Sequence, residues 1–205
     1  MSNFKTPTIL CLFLLFSSCS AILNKMVGLK STKVLNDEEI IKAAKEFNIP
    51  EKHLYYVDTA YAYALKRIIK DTLQPTLNNH LQPLQALYFI QSDYPVSFQI
   101  NCYAGGLPKL DWNRDGIMEA FPPKLQAPLD QAISGNFLLS LLKPVKGATY
   151  PTNVNSRNMV VVFWTRFMNK HTSLFIQTIQ QNLSRANNPV EVIYINADNL
   201  YALVN

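Results

Sequence analysis

The sequence predicts an α/β fold, with an α+β arrangement as the alternative, built on a mixed sheet that contains antiparallel hairpins and a C-terminal parallel βαβ unit. Two apolar runs, 159–164 and 190–195, flank a segment of helical periodicity at 172–186. Continuous apolar runs are typical of strands covered on both faces, and a right-handed helical crossover makes such strands parallel neighbours. Two β-rich runs, 84–90 and 96–103, surround a segment of turn composition and predict an antiparallel hairpin.

Two amphipathic helices are predicted before this hairpin. The first follows the acidic run 36–39, which suits the positive end of a helix dipole, and ends before Pro50. The second runs from about residue 58 and ends at Pro75, and a short strand at 54–57 lies between the two helices. The apolar side of the second helix is expected to comprise Tyr61, Leu65, Ile68, Ile69 and Leu73.

A second hairpin is predicted around the turn sequence Asn-Arg-Asp-Gly at 113–116. Its two strands are expected at 110–112 and 117–121. The segment 121–157 is rich in proline and is expected to be a packed excursion between the hairpins and the βαβ unit. Two short helical patches are expected within it, at 129–134 and 136–142.

The first residues of the chain predict an export signal. Lys5 precedes an apolar stretch at 8–16 that is too short to cross a bilayer as a permanent helix. The sequence Phe-Ser-Ser-Cys at 16–19 then resembles the bacterial lipobox, whose cysteine receives diacylglycerol before cleavage. The resemblance implies a lipoprotein signal peptide over residues 1–18 and lipidation of Cys19. The alternative is an ordinary signal-peptidase site that carries a cysteine by chance.

The expected mature chain is a membrane-tethered domain. The lipidated cysteine and a tether occupy residues 19–35, and a single α/β domain occupies 36–205, with its βαβ unit at about 159–196. No later run approaches the roughly 18 apolar residues of a membrane span, so the lipid anchor is the expected attachment to the membrane. The segment 20–33 lacks acidic residues, and by resemblance to lipoprotein sorting this favours the outer membrane, facing the periplasm.

The charge balance argues against a nucleic-acid partner. The chain has 19 basic and 14 acidic residues, a formal net charge of +5, and removal of the signal with Lys5 leaves 18 minus 14, or +4. The basic residues are scattered and form no stripe that could follow a phosphate backbone. Weak attraction to anionic lipid headgroups near the anchor remains open.

The βαβ segment carries a resemblance to a known family. The sequence Val-Val-Val-Phe-Trp-Thr-Arg-Phe-Met-Asn-Lys-His at 160–171, its helix, and 192–198 resemble the central βαβ unit of thioredoxin-like proteins. Those proteins follow this unit with a hairpin and a closing helix, whereas here the candidate hairpin at 84–103 comes before it. The resemblance therefore implies a permuted or rebuilt thioredoxin-like fold, and an unrelated α/β sandwich is the alternative.

The resemblance also implies a site without redox chemistry. Trp164 and Phe167 stand where the family has an aromatic pair, and Met168 and His171 stand at the two positions of its Cys-x-x-Cys. Dithiol exchange needs a thiolate of lowered pKa and a second thiol that resolves the mixed disulfide. The favoured function is therefore a non-enzymatic binding or assembly module that holds a peptide or envelope protein at the edge formed by these four residues.

A second resemblance concerns the middle of the chain. The sequences Gln-Ile-Asn-Cys-Tyr-Ala-Gly-Gly at 99–106 and Phe-Pro-Pro-Lys at 121–124 resemble uncharacterised lipoproteins of Bacteroidetes. This resemblance implies an envelope lipoprotein and carries no specific activity.

Cys102 supports an alternative, enzymatic reading. It is the one thiol left after signal removal and lipidation, so no intramolecular disulfide is expected in the mature chain. A lone cysteine in a β-rich run is expected to pack as a small apolar residue. The alternative is a single-thiol enzyme in which Cys102 is the nucleophile and His171 the base.

A weak calcium pattern lies in the second predicted hairpin. Asp111, Asn113 and Asp115 match the first half of a calcium loop, whereas the twelfth position of that loop holds Pro122 instead of glutamate. A metal-free turn is favoured over a calcium-stabilised one. The three histidines have no metal-ligand spacing, and no glycine loop for phosphates or hydrolase motif occurs, so no cofactor is expected.

Overall fold

The computed structural model describes residues 28–69, 73–149 and 157–204. These residues form one six-stranded sheet, with strand order β3-β2-β5-β6-β1-β4, and helices on both of its faces. The strands are β1 (Leu54–Tyr56), β2 (Gln85–Ile90), β3 (Ser97–Ile100), β4 (Lys143–Pro144), β5 (Asn158–Trp164) and β6 (Val190–Asn196). The helices are α1 (Asp37–Glu46), α2 (Thr59–Ile68), α3 (Gln74–His80), α4 (Gly135–Ser140), α5 (Asn169–Leu183) and α6 (Asp198–Val204). The signal peptide and Cys19 lie outside the described residues.

The sheet is mixed, which confirms the predicted α/β class. Strands β5 and β6 are parallel and joined through α5, and β1 continues the parallel set beside β6. On the other side of β5, β2 and β3 form the predicted antiparallel hairpin. The short β4 pairs antiparallel with β1 at the opposite edge, and the sequence analysis did not predict it.

Two apolar layers enclose the sheet, and alternate residues of β5 supply both. Val160, Val162 and Trp164 face a core that contains α1 and α5. Met159, Val161 and Phe163 face a second core, which contains α2, α3, α4 and α6. Because strand side chains alternate between faces, the apolar run 159–164 is explained by burial on both sides.

The first helix follows the sequence prediction closely. The Asn36 side chain accepts a hydrogen bond from the Glu39 amide at 2.9 Å, and the Glu39 carboxylate accepts one from the Asn36 amide at 3.1 Å. This reciprocal capping box satisfies two amides that the first helical turn leaves unbonded. The helix ends at Glu46, before Pro50, as expected.

The second helix is shorter than predicted, because Pro75 begins a new helix instead of closing the old one. Helix α2 ends at Ile68, and Pro75 lies in the first turn of α3, where a residue without an amide proton costs nothing. Ile68 and Leu73, which the periodicity assigned to the buried side, are exposed. Helix α3 was not predicted.

The second hairpin was predicted wrongly. Residues 114–119 form 3₁₀ turns instead of a strand pair. The Asn113 side-chain oxygen accepts the Met118 amide at 2.8 Å, and Asp115 and Gly116 both adopt left-handed backbone angles, with φ of 59° and 68°. Local side-chain capping therefore competes successfully with strand pairing here.

The proline-rich excursion contains one of its two predicted helical patches. Residues 135–140 form α4, which overlaps the second patch, whereas residues 129–134 are not helical. The excursion is attached to α3 by a bond of 3.0 Å between His80 Nε2 and the Asp130 carboxylate, and the buried His80 ring stacks on Phe98. Burial opposes ionisation of Asp130, but the hydrogen bond and charge of His80 outweigh it and lower the pKa of this carboxyl below its ordinary value of 3.8.

We expect Asp130→Asn to destabilise the protein in a pH-dependent way. Since the folded state lowers the pKa of Asp130, the pair contributes fully above 3.8, and its contribution is lost as pH falls through the lower folded pKa. Urea unfolding at about pH 7 should show a loss of about 1 kcal/mol, and the loss should vanish at the acid end of the range. Asp115→Asn, at an exposed carboxylate, is the control. A difference that stays constant with pH would contradict the assignment.

Candidate functional site

The carboxyl ends of the parallel strands are a candidate location for a site. Ligands of open α/β sheets bind at this edge, where successive helices pass to opposite faces of the sheet. The helix that follows β5 packs on one face, whereas those that follow β6 and β1 pack on the other. The change of face therefore falls between β5 and β6.

A buried carboxylate occupies this crevice. Asp198 accepts hydrogen bonds from the Arg166 amide at 2.6 Å, the Phe167 amide at 3.2 Å and the Asn196 side-chain amide at 2.8 Å. Burial raises the pKa of Asp198, and these hydrogen bonds oppose the rise. The carboxylate therefore fixes the turn between β5 and α5, and three donors of the protein itself already bond to it.

The amino-terminal segment covers the same crevice. Residues 28–35, assigned to the tether by the sequence analysis, are joined to the domain by backbone and side-chain hydrogen bonds of 2.6–3.0 Å. These bonds join Lys30 to Phe167, Ser31 to Arg166, and Leu35 to Asn199. The fixed part of the chain therefore begins before residue 36, and the crevice between β5 and β6 is closed by its own chain.

The predicted partner-binding edge lies mostly in the interior. Trp164 has 0% of its surface exposed and packs edge-to-face on Phe47, with ring centroids 5.7 Å apart. Met168 and His171 are also buried, at the start of α5. The prediction that these side chains form a binding edge is therefore corrected. They are core residues, because α1 covers the face of the sheet on which they lie.

Phe167 is the member of that edge that reaches the surface. It is half-buried, and its ring packs edge-to-face on Tyr201 of α6 at 5.4 Å between centroids. Tyr201 in turn donates a hydrogen bond to the Leu81 carbonyl, and burial raises the pKa of its hydroxyl. Tyr201, which Phe167 contacts, also lines a depression on the protein surface.

This depression, the apolar groove, lies between α2 and α6 and has a volume of about 320 Å³. Its two most exposed apolar side chains are Tyr63, at 66%, and Leu203, at 56%. Lys66 adds one positive charge to an otherwise mainly apolar lining. The lining residues are Thr59, Ala62, Tyr63, Lys66, Leu81, Leu200, Tyr201 and Leu203. A concave apolar surface with a single charged group is typical of a binding site.

The sequence analysis did not find the apolar groove. Three of its eight lining residues belong to α6, a helix that was not predicted, and four belong to α2, whose opposite side was expected to be apolar. Two features of the sequence could have indicated the groove. Tyr63 is an aromatic residue at a position that the helical period places outward, and Leu200 and Leu203 near the carboxyl terminus are spaced as on one side of a helix.

Cys102 is exposed, which corrects the expectation that it packs in the core. It lies in the turn that follows β3, and its thiol donates a hydrogen bond to the Gln82 side-chain oxygen at 2.9 Å. The Asn101 side-chain amide lies 3.9 Å from the sulfur. Neither amide group can accept the thiol proton as a base, so these contacts do not activate a nucleophile.

The three calcium candidates have the contacts of a turn. The Asp111 carboxylate accepts the Asn113 amide at 3.2 Å, and the Asn113 side-chain oxygen is used by Met118. The Asp115 side chain is largely exposed and lies 3.7 Å from the Arg114 guanidinium. Over the three described ranges, no group of three or more His, Cys, Asp or Glu side chains could hold a metal ion.

Comparison with family models, with curated proteins and with solved structures finds no match to this chain. The choice of candidate site therefore rests on its geometry.

We expect Trp164→Ala to act as a core mutation instead of a surface mutation. Removing this fully buried ring should lower the free energy of unfolding by about 3–5 kcal/mol, measured by urea denaturation. Tyr63→Ala, at an exposed aromatic residue, should change it by no more than about 0.5 kcal/mol. Equal effects of the two substitutions would show that Trp164 is exposed in solution.

Proposed function

We propose that this chain is a lipid-anchored lipoprotein of the cell envelope, on the outer membrane and facing the periplasm. We propose further that its folded domain is a redox-inactive, thioredoxin-like binding or assembly module. The observation that carries the binding role is the apolar groove beside Phe167, at the carboxyl edge of the parallel strands. The role is to hold a peptide or envelope protein close to the membrane.

The anchor is supported by the sequence at 16–19 and by its position directly after an apolar stretch. Among the described residues, no helix has the length and apolar character to cross a bilayer. Each acyl methylene buried in lipid contributes about 0.8 kcal/mol, so a diacylated cysteine is enough for stable attachment.

The thioredoxin-like part of the proposal is supported by where the hairpin lies. Strands β2 and β3 precede the β5-α5-β6 unit in the chain, yet β2 pairs antiparallel with β5 in the sheet. A hairpin that precedes the βαβ unit in the chain but joins the same sheet is what a permuted version of the family fold would contain.

The redox-inactive part of the proposal is supported by the residues at the start of α5. Met168 and His171 stand at the positions that the resemblance assigns to the two cysteines, and both are buried. A redox-active pair needs an accessible thiolate and a resolving thiol one turn away. Catalysed reduction of insulin disulfides by the purified protein would refute this part of the proposal.

The lining of the apolar groove indicates what kind of peptide it holds. Tyr63, Leu81 and Leu203 offer contacts to apolar side chains, and Lys66 offers a charge-assisted hydrogen bond to a carboxylate. We therefore propose an apolar peptide segment that carries an acidic group. The groove is small, so it accommodates one or two side chains of such a partner.

A single-thiol enzyme is the second candidate, favoured by the exposure of Cys102. Its thiol contacts amide groups of Gln82 and Asn101, and His171, the base proposed from the sequence, is buried at the start of α5. The binding role is preferred over the enzymatic one, because binding a peptide in the groove needs no activated nucleophile or base.

We expect Cys19→Ser to abolish lipid attachment. Without the thiol, no diacylglycerol can be transferred and the cleavage that follows it is blocked, so mass spectrometry should show a protein that lacks diacylglycerol and keeps residues 1–18. Cys11→Ser is the matched control, because this cysteine lies inside the signal and is removed with it. A wild-type protein with an unmodified amino terminus would contradict the anchor.

We expect the apolar groove to bind an apolar, anionic probe such as 1-anilinonaphthalene-8-sulfonate. Leu203→Asp replaces an apolar contact with a negative charge and should weaken binding about tenfold, measured by fluorescence titration. Lys66→Glu should weaken it as well, since it reverses the one charge of the lining.

Leu174→Asp is the control for this titration, because Leu174 is a comparably exposed leucine on α5, outside the groove. Circular dichroism should confirm that all variants are folded. Equal weakening by Leu174→Asp, or none by Leu203→Asp, would exclude the groove as the probe site.

A further inference from the structure

We propose that the domain lies against the bilayer through a basic surface beside its anchor, and that this surface binds anionic lipid headgroups. The basic surface is formed by Lys30, Lys33, Lys42, Arg166 and Lys170. The inference rests on the proposed lipid anchor and adds to it an orientation of the domain on the membrane.

The five cations come from three parts of the chain that the fold brings together. Lys30, Lys33, Lys42 and Arg166 line one depression of about 240 Å³ between the amino-terminal segment, α1 and the turn after β5. Lys170 lies beside it, since a side-chain carbon at Gly28 would be 3.6 Å from its Cδ atom. Sequence separation hides this cluster, because its members lie up to 140 positions apart, from 30 to 170.

The cluster keeps a positive charge after its ion pairs are counted. Lys33 pairs with Glu39, and Lys30 lies 3.8 Å from Glu46. Among the described residues, these two carboxylates are the only acidic side chains that line the depression. Its four cations, together with Lys170 beside it, therefore exceed the two anions by three positive charges. The buried carboxylate of Asp198, behind Arg166, reduces this to +2. The surface therefore attracts anions and keeps cations without an ion pair.

The basic surface cannot be far from the anchor. Cys19 and Gly28 are nine positions apart, and a fully extended chain spans at most about 3.6 Å per residue, or about 32 Å. The hydrogen bond from the Lys30 amide to the Phe167 carbonyl fixes the segment to the domain. A rotation that turned this surface away from the membrane would therefore have to be accommodated by the eight residues between Cys19 and Gly28.

The basic surface must touch the membrane, and not only lie near it, for its lysines to be attracted to anionic headgroups. The surface potential of an anionic leaflet falls off within a Debye length, about 8 Å at physiological ionic strength. Lys30, Lys33, Lys42 and Lys170 are all exposed, so their ammonium groups can enter this layer. Val34, an exposed apolar residue of the same segment, can be buried at the headgroup boundary.

The test uses the complete lipidated protein reconstituted into vesicles. Acetylation of lysines by an N-hydroxysuccinimide ester is followed by mass spectrometry in phosphatidylcholine vesicles and in vesicles that also contain phosphatidylglycerol. We expect Lys30, Lys33, Lys42 and Lys170 to react about fivefold more slowly in the anionic vesicles, and high salt should abolish the difference.

Two lysines of the same protein serve as internal controls. Lys52 is exposed at the amino end of β1, and Lys66 lies on α2, on the other face of the sheet. Their acetylation rates should be the same in both kinds of vesicle. Equal rates at all six lysines in protein that floats with the vesicles would overturn the orientation and leave the anchor intact. Protein that fails to float with either kind of vesicle would overturn the anchor and the inference with it.

Discussion

The burial of both faces of β5 is the constraint on which the rest of the structure depends. Residues 159–164 are all apolar and all buried, so the protein must supply a helical layer on each side of this strand. The parallel neighbour β6 and the antiparallel neighbour β2 then satisfy its backbone on both edges. Helix α5 provides the layer on one face and α6, which follows β6, contributes to the other, and this division opens a crevice between the two strands.

Groups of the protein itself occupy that crevice. Asp198 accepts the amides of the turn after β5, and residues 30–35 are hydrogen-bonded across the top. Trp164 points into the core beneath α1 instead of forming a surface. The open surfaces that remain nearby are the apolar groove, behind Tyr201, and the basic surface, beside the amino-terminal segment. The two differ in chemistry and are lined by different residues, so the proposed peptide partner and the proposed membrane contact would use separate surfaces.

The elements that the sequence predicted well are those with strong local signals. Strand β5, helix α5 and strand β6 have continuous or periodic apolar patterns, and the boundaries of β5 and β6 were correct to within one residue. The acidic residues in the first turn of α1 predicted the start of this helix, because the contacts that cap it are made between neighbouring residues. The wrong predictions have local causes too. Pro75 was taken as the end of a helix, whereas it lies in the first turn of one. The turn at 113–116 was taken as a hairpin, whereas the Asn113 side chain closes 3₁₀ turns there.

The sequence by itself determined the α/β class, the parallel βαβ unit and the lack of a Cys-x-x-Cys at the start of α5, because each of these depends on neighbouring residues. The signals for export and lipidation at 1–19 are predictions from the same kind of local pattern. Only the tertiary structure decided which side chains are available to a partner. Trp164 and Met168 are buried because α1, more than 100 positions earlier, packs over them. The apolar groove and the basic surface are each assembled from segments distant in the chain, and a one-dimensional pattern carries no information on which of its faces a distant helix will cover.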